Sequence, residues 1–233
     1  MDNYFVSSCK RVKDWICRQF GQKEKKTVHH KKFADGGEVI VWETGRAGEE
    51  AASYENLFLR KEIAGFRTNI RREQSCSIKS LTRDYLYKQL LSSGEYTFDH
   101  MLVIKDPYGE APLTALALFI LEEPACVRVT TKGNLKETDF VTELPKKKEH
   151  RVPILGMYAE KANDIVIEIL DDEGNCVKSH TFTIRTKRLP KSLRNVITVK
   201  KWTDKPAYSN IMINGGVKIH TCVFDIEGKI RYY

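Results

Sequence analysis

No two cysteines in this chain are spaced as C-x-x-C. The six, Cys9, Cys17, Cys76, Cys126, Cys176 and Cys222, lie far apart, which excludes a zinc ribbon or a thioredoxin-type redox pair. Separate reduced thiols are expected, with disulfides left open for an exported chain. No stretch approaches the ~20 apolar residues that cross a bilayer, and the most apolar, Leu113 to Leu121, is far too short. The leading residues MDNYFVSSCKRVKDWICRQF lack a continuous apolar core and a small-residue cleavage site, so no secretory signal is read there and the default compartment is cytoplasmic. Ser-His-Asp arrangements, paired carboxylates, a P-loop and a dinucleotide fingerprint are all missing; Gly36-Gly37 and Gly215-Gly216 read as turns.

What is present is a globular composition with a basic cast. Of 233 residues 41% are hydrophobic, enough for at least one real core, and 39 Lys plus Arg against 31 Asp plus Glu give a net charge of +8. Much of the excess sits in the first third of the chain rather than on one groove-forming element, so a solvated surface is favoured over a nucleic-acid interface. Phe5, Cys9, Val12, Ile16 and Phe20 recur at helical spacing beside Trp15, opposite Lys10, Arg11, Lys13 and Arg18. Such a helix suits either the membrane surface or packing on the rest of the protein or on a partner. The basic run GQKEKKTVHHKK predicts a solvated connector, in which the adjacent His29 and His30 point apart and hold no metal. Glu38 to Glu43 reads as a short strand, Glu49 to Phe66 and Ile78 to Leu91 as helices, the second with Ile78, Leu81, Tyr85, Leu86 and Leu90 on one side. This third of the chain is read as helical decoration on the β-rich remainder.

From Tyr96 the hydrophobic period becomes that of strands. Met101 to Lys105, the turn Asp106-Pro107-Tyr108-Gly109 and Leu113 to Leu121 form a hairpin whose second arm is apolar on both faces. A strand covered on both sides is implied, by a sandwich core on one face and the N-terminal helices on the other. Glu122 to Pro124 reads as a break, followed by strands at Cys126 to Thr131, Thr138 to Leu144 and Arg151 to Leu155, the last an edge because of Pro153. Asp164 to Leu170 and Cys176 to Arg185 flank Asp171-Asp172-Glu173-Gly174-Asn175, a type I turn with a G1 bulge. About seven short strands in this span predict an immunoglobulin-like antiparallel sandwich, without the Cys-Trp-Cys core because no Trp lies between Met101 and Thr186. After the linker KRLPKSLRN come β segments at Val196 to Trp202, Asn210 to Asn214 and Cys222 to Tyr233. They either pack on the sandwich or belong to a domain whose remainder is missing.

Three stretches together resemble the bacterial aryl-sulfate sulfotransferases. They are Asp106 to Ala115 (DPYGEAPLTA), Val152 to Tyr158 (VPILGMY), and Phe224-Asp225 with Gly228, Ile230, Arg231 and Tyr232. Asp106 stands where Asn is usual and Tyr232 where Trp is usual. The resemblance implies an Ig-like N-terminal domain followed by a β-propeller, and for a complete enzyme the transfer of a sulfuryl group from a phenolic sulfate ester to a phenol through a sulfohistidine. It also implies export, against the missing signal.

The expected architecture is mainly β with N-terminal helices: a basic helical region over 1–95, the Ig-like sandwich over 96–187, and an incomplete first propeller blade over 188–233. A six-bladed propeller needs roughly 240 residues, so this chain is expected to lack the catalytic part and to be inactive alone. No residue is assigned a catalytic, cofactor-binding or metal role, and no cofactor is expected. His220 is read as a surface or packing residue, His180 as an outward polar position on its strand, and His100 and His150 as flanking strands. The expected partner is the missing propeller portion or a second copy of the chain. The alternative function is an Ig-like interaction module that dimerises or binds a partner through strand edges without catalysis.

Overall fold

The computed structural model describes residues 28–33, 37–62, 72–194, 197–200, 210–213 and 221–233. The N-terminal amphipathic helix and His220 lie outside the described residues, as do Val196, Lys201 and Trp202 of the expected strand Val196 to Trp202; its described part, 197–200, is not in a strand.

The chain forms β1 (Val28–Lys32), β2 (Glu38–Trp42), α1 (Thr44–Glu62), α2 (Arg72–Ser92), β3 (His100–Lys105), β4 (Ala115–Thr131), β5 (Phe140–Ile154), β6 (Ala162–Leu170), β7 (Cys176–Arg185), β8 (Asn210–Ile213), β9 (Cys222–Asp225) and β10 (Ile230–Tyr232). One seven-stranded sheet runs β1-β2-β3-β4-β6-β7, with β5 on β4. Its two outer strands come together where Lys31 Nζ of β1 donates to the Thr183 carbonyl of β7, so the sheet wraps almost completely round its core.

β4 organises this wrapping. Its alternate residues Ala115, Ala117, Phe119 and Leu121 enter the main core with Val127, Val152, Ile165 and Phe182. Leu116 and Leu118 face the opposite way, into a layer built from Trp42, Ala47, Ala51, Leu86, Tyr87 and Leu91. Burial on both sides is why this stretch is apolar without alternation. In α2, Leu86 and Leu90 of the expected face pack into this layer, whereas Leu81 is exposed and Tyr87 is fully buried, its hydroxyl donating to the Pro107 carbonyl.

Glu122 to Pro124 does not end the strand. The pairing with β5 shifts register between Ile120 and Ala125, and the bulge bends β4 so that its first half pairs with β3 and its second with β6. In the same way Thr138 to Leu144 and Arg151 to Leu155 are the ends of one 15-residue strand, β5. The seven short strands expected are therefore five longer ones. Among the described residues β5 pairs only with β4, and it carries Pro145, Lys146 to Lys148 and Pro153, features that discourage further pairing.

Two expectations for the N-terminal third are corrected. Residues 28–32, read as a connector, form β1, and β2 lies parallel to β3 with Val39 and Val41 in the main core. The polar sequence VHHKK has no apolar alternation to reveal a strand; it forms because β2 offers its backbone ladder. The pairing of β2 with β3 thus carries the sheet across residue 95.

At the far end β10-β9-β8 form a separate three-stranded sheet. Its Cys222 and Ile230 join the core of the sandwich, so these strands pack on it.

Candidate functional site

Where the C-terminal hairpin meets the sandwich, a charged pair is completely buried. Arg231 and Asp225 are both 0% exposed. Asp225 ends β9 and opens the turn Asp225-Ile226-Glu227-Gly228-Lys229. Its Oδ1 accepts from the backbone N–H groups of Glu227 and Lys229, each at 3.0 Å, while Oδ2 accepts from the Tyr158 hydroxyl at 2.7 Å and lies 3.3 Å from Arg231 Nη1. One carboxylate therefore shapes a turn with one oxygen and reaches the sandwich with the other.

Arg231 completes the link from β10. Its Nε donates to the Gly156 carbonyl at 2.6 Å, and Nη1 donates to the Thr138 carbonyl at 2.8 Å and the Tyr158 hydroxyl oxygen at 2.9 Å. The guanidinium carbon lies 3.9 Å from the Tyr158 ring centroid. A buried charge needs such partners, because an unpaired one costs several kcal/mol. Gly156 has φ 73°, and a Cβ there would meet Phe140 at 2.8 Å, so both the backbone conformation and the close approach require glycine. Burial pushes the Tyr158 hydroxyl's pKa up, which keeps it protonated as the donor to Asp225.

A second polar node closes the other side of the barrel-like sheet. His180 of β7 is buried, stacked on Phe33 at 4.0 Å and on Phe98 at 4.6 Å, with Nε2 2.8 Å from Asp99 Oδ1. This overturns the outward placement expected for it: His180 shares the inward face of Phe182 and Ile184, an alternation already visible in the strand. Lys178 donates to Asp99 at 2.7 Å, and that hydrogen bond holds the carboxyl below the usual carboxylate range.

A third cluster seats the turn 106–109. The Tyr108 hydroxyl donates to Asp84 at 2.6 Å, Arg151 bonds to both, and Arg83 donates to the Pro107 carbonyl at 2.9 Å. Burial first, then the bond to Asp84, pushes the Tyr108 pKa up to about 12. Asp106 has φ 44°, a left-handed conformation for which Asn and Asp are the best tolerated non-glycine residues, which accounts for either residue at this position.

The other described histidines are engaged locally. His29 lies 3.6 Å from Glu43 and His30 3.7 Å from Glu38, on separate partners. His100 lies 2.9 Å from Glu38 and stacks on Tyr96. His150 is buried against Phe119, with Nε2 2.9 Å from the Lys147 carbonyl. Among the described residues no three His, Cys, Asp or Glu side chains are grouped as metal ligands, and no helix is long and apolar enough to cross a membrane.

The arrangement is an Ig-like sandwich whose loop end holds a following β hairpin through a buried Tyr-Asp-Arg network. Residues 102–187 match the family model of the arylsulfotransferase Ig-like domain. That span runs from β3 to just past β7 and includes Thr138, Gly156 and Tyr158, the sandwich side of the junction. No curated protein matches the chain. Asp225 and Arg231 lie outside the matched span, and the fold brings them onto it. The parallel between Asp-Asp-Glu-Gly at 171–174 and Asp-Ile-Glu-Gly at 225–228 marks a second turn of the same kind but carries no sign of its docking.

Proposed function

We propose that this chain provides the non-catalytic scaffold domain of an arylsulfotransferase-type protein, seating the β structure C-terminal to the sandwich. The observation that carries this reading is the junction itself. The Asp225 to Tyr158 bond joins residues 67 apart in sequence, and the Arg231 to Thr138 bond joins residues 93 apart. Both are buried, and they fix the direction in which the chain leaves the sandwich. In the complete protein, sulfuryl transfer from a phenolic sulfate ester to a phenol would run on a histidine of the propeller. There a neutral imidazole nitrogen attacks sulfur, the phenolate leaves, and cationic neighbours stabilise the charge on the sulfuryl oxygens. The described histidines instead pair with carboxylates, a carbonyl or aromatic rings. The partner is accordingly further β structure of the propeller type.

Incubation of the purified chain with 4-nitrophenyl sulfate and excess phenol tests the reading. No nitrophenol release above the protein-free rate is expected. Turnover that disappears in His220→Ala would show the chain to be an enzyme in its own right and overturn the scaffold assignment.

A further inference from the structure

The segment that leaves β7 is charged with one sign. Residues 187–200 carry Lys187, Arg188, Lys191, Arg194 and Lys200 and no Asp or Glu. A cleft of about 290 Å³ separates Arg188 and Arg194 of this segment from Lys229 in the turn of the C-terminal hairpin. Among the described residues only Arg188 has a carboxylate partner, Glu160 at 3.2 Å. The other cations stand without counter-charge.

These cations sit on a fixed ridge rather than on a loose linker. Leu189, Leu193 and Ile197 pack into the main core at every fourth residue, which leaves the basic residues between them facing outward. A 3-10 turn over Lys191–Leu193 follows Pro190, and Arg194 Nε donates to the Leu189 carbonyl at 2.8 Å. The apolar residues are thus spent on anchoring, and what the ridge offers to a partner is charge: Lys187, Arg188, Lys191, Lys200 and Lys229 are all exposed. Like charges held side by side repel one another, and a partner of opposite sign relieves that repulsion.

We propose that this ridge and the cleft beside it form a docking surface for an acidic peptide segment of another protein, with its Asp and Glu carboxylates set along Lys191, Arg194 and Lys229. Charge complementarity supplies the steering and the register, and the anchored backbone lowers the cost of ordering the surface on binding. The cleft is smaller than the pockets that enclose a drug-sized molecule, so it admits side chains of a partner rather than a whole ligand. No aromatic side chain lines it, so a nucleic-acid strand would find no platform on which to stack a base. The proposal goes beyond the scaffold reading and does not depend on it.

The test follows the fluorescence anisotropy of a labelled octaglutamate with the full chain, beside a labelled oligo-dT of the same length. A dissociation constant on the order of 10 to 100 μM is expected for the peptide in about 50 mM NaCl, weakening at least about fivefold in about 300 mM. Lys191→Glu combined with Lys229→Glu should weaken binding at least about tenfold, whereas Lys147→Glu combined with Lys148→Glu, exposed on β5 and equal in charge change, should weaken it less than about threefold. Amide chemical-shift changes in the wild type should centre on 187–194 and 228–229, which locates the site without any variant. Equal losses in the two double variants, shifts centred elsewhere, tighter binding of the oligonucleotide than of the peptide, or an affinity indifferent to salt would each overturn the proposal.

Discussion

Two hairpin turns in this molecule are built alike and used differently. In both, an Asp opens the turn, its Oδ1 accepts from N–H groups two and four residues on, and the glycine three residues on has a left-handed φ, 84° at Gly174 and 76° at Gly228. Asp171 lies at the surface and serves only its own turn, its pKa lowered chiefly by the Asn175 N–H. Asp225 turns its second oxygen to Tyr158 and Arg231 inside the protein. The same local chemistry thus yields a loop in one place and an attachment point in the other. What separates them is the residue two after the turn, Val177 at the first and Arg231 at the second, and whether a sandwich loop is waiting to receive it.

The largest effect should come from removing one member of the buried pair. Arg231→Met leaves Asp225 charged and partnered only by turn N–H groups and Tyr158, and should cost about 3–5 kcal/mol in denaturant unfolding. Combining it with Asp225→Asn should lose less than the sum of the two single changes, by more than about 1 kcal/mol. Strict additivity would mean that the pair does not act as a unit. By contrast, Asp171→Ala should lose only a small fraction of what Asp225→Ala loses.

The glycines provide a milder version. Alanine at 174 meets no atom within 4 Å and should cost about 1 kcal/mol for the left-handed backbone alone. Alanine at 228 carries that cost and also meets Val199 at 3.1 Å and Ile197 at 3.2 Å, so about 2 kcal/mol is expected. Equal losses at the two sites would show that the second hairpin is not packed as described.

The smallest effect concerns pH and lies away from both turns. Burial lowers the pKa of His150 below its ordinary 6.5, so the folded protein binds fewer protons there than the unfolded chain. Its contribution to stability is complete above pH 6.5 and is lost as pH falls from 6.5 through the lower folded value. The stability difference between wild type and His150→Gln should therefore shift in favour of the variant on going from pH 7.5 to pH 5. A pH-independent difference would contradict the burial of a neutral ring.

Where local chemistry decided the structure, the sequence was legible. The Asp171 turn follows from its residue types, and the two-faced burial of β4 follows from an apolar run too short for a membrane and too continuous for a half-exposed strand. The matched Ig-like domain was also readable, since Val152 to Tyr158 and Asp106 to Ala115 fall within it. What was missed depended on partners distant in sequence. β1 has no apolar pattern and exists by pairing with β2; Pro124 is tolerated because β4 exchanges β3 for β6 at that bend. His180 is a polar residue type on the inward face, and only its alternation with Phe182 and Ile184 marks that placement. Arg231 gave no sign of burial, since its partners Thr138, Gly156 and Tyr158 come from loops 73 to 93 residues earlier.

The buried network makes the C-terminal strands part of the sandwich. Native-state hydrogen exchange reads this directly at the amides of β9 and β10, compared with those of β6. Both sets should be protected to a similar extent in the wild type, and Arg231→Met should abolish protection in β9 and β10 while β6 keeps most of its own. Wild-type β9 and β10 amides exchanging as fast as an unstructured peptide, beside a protected β6, would contradict it.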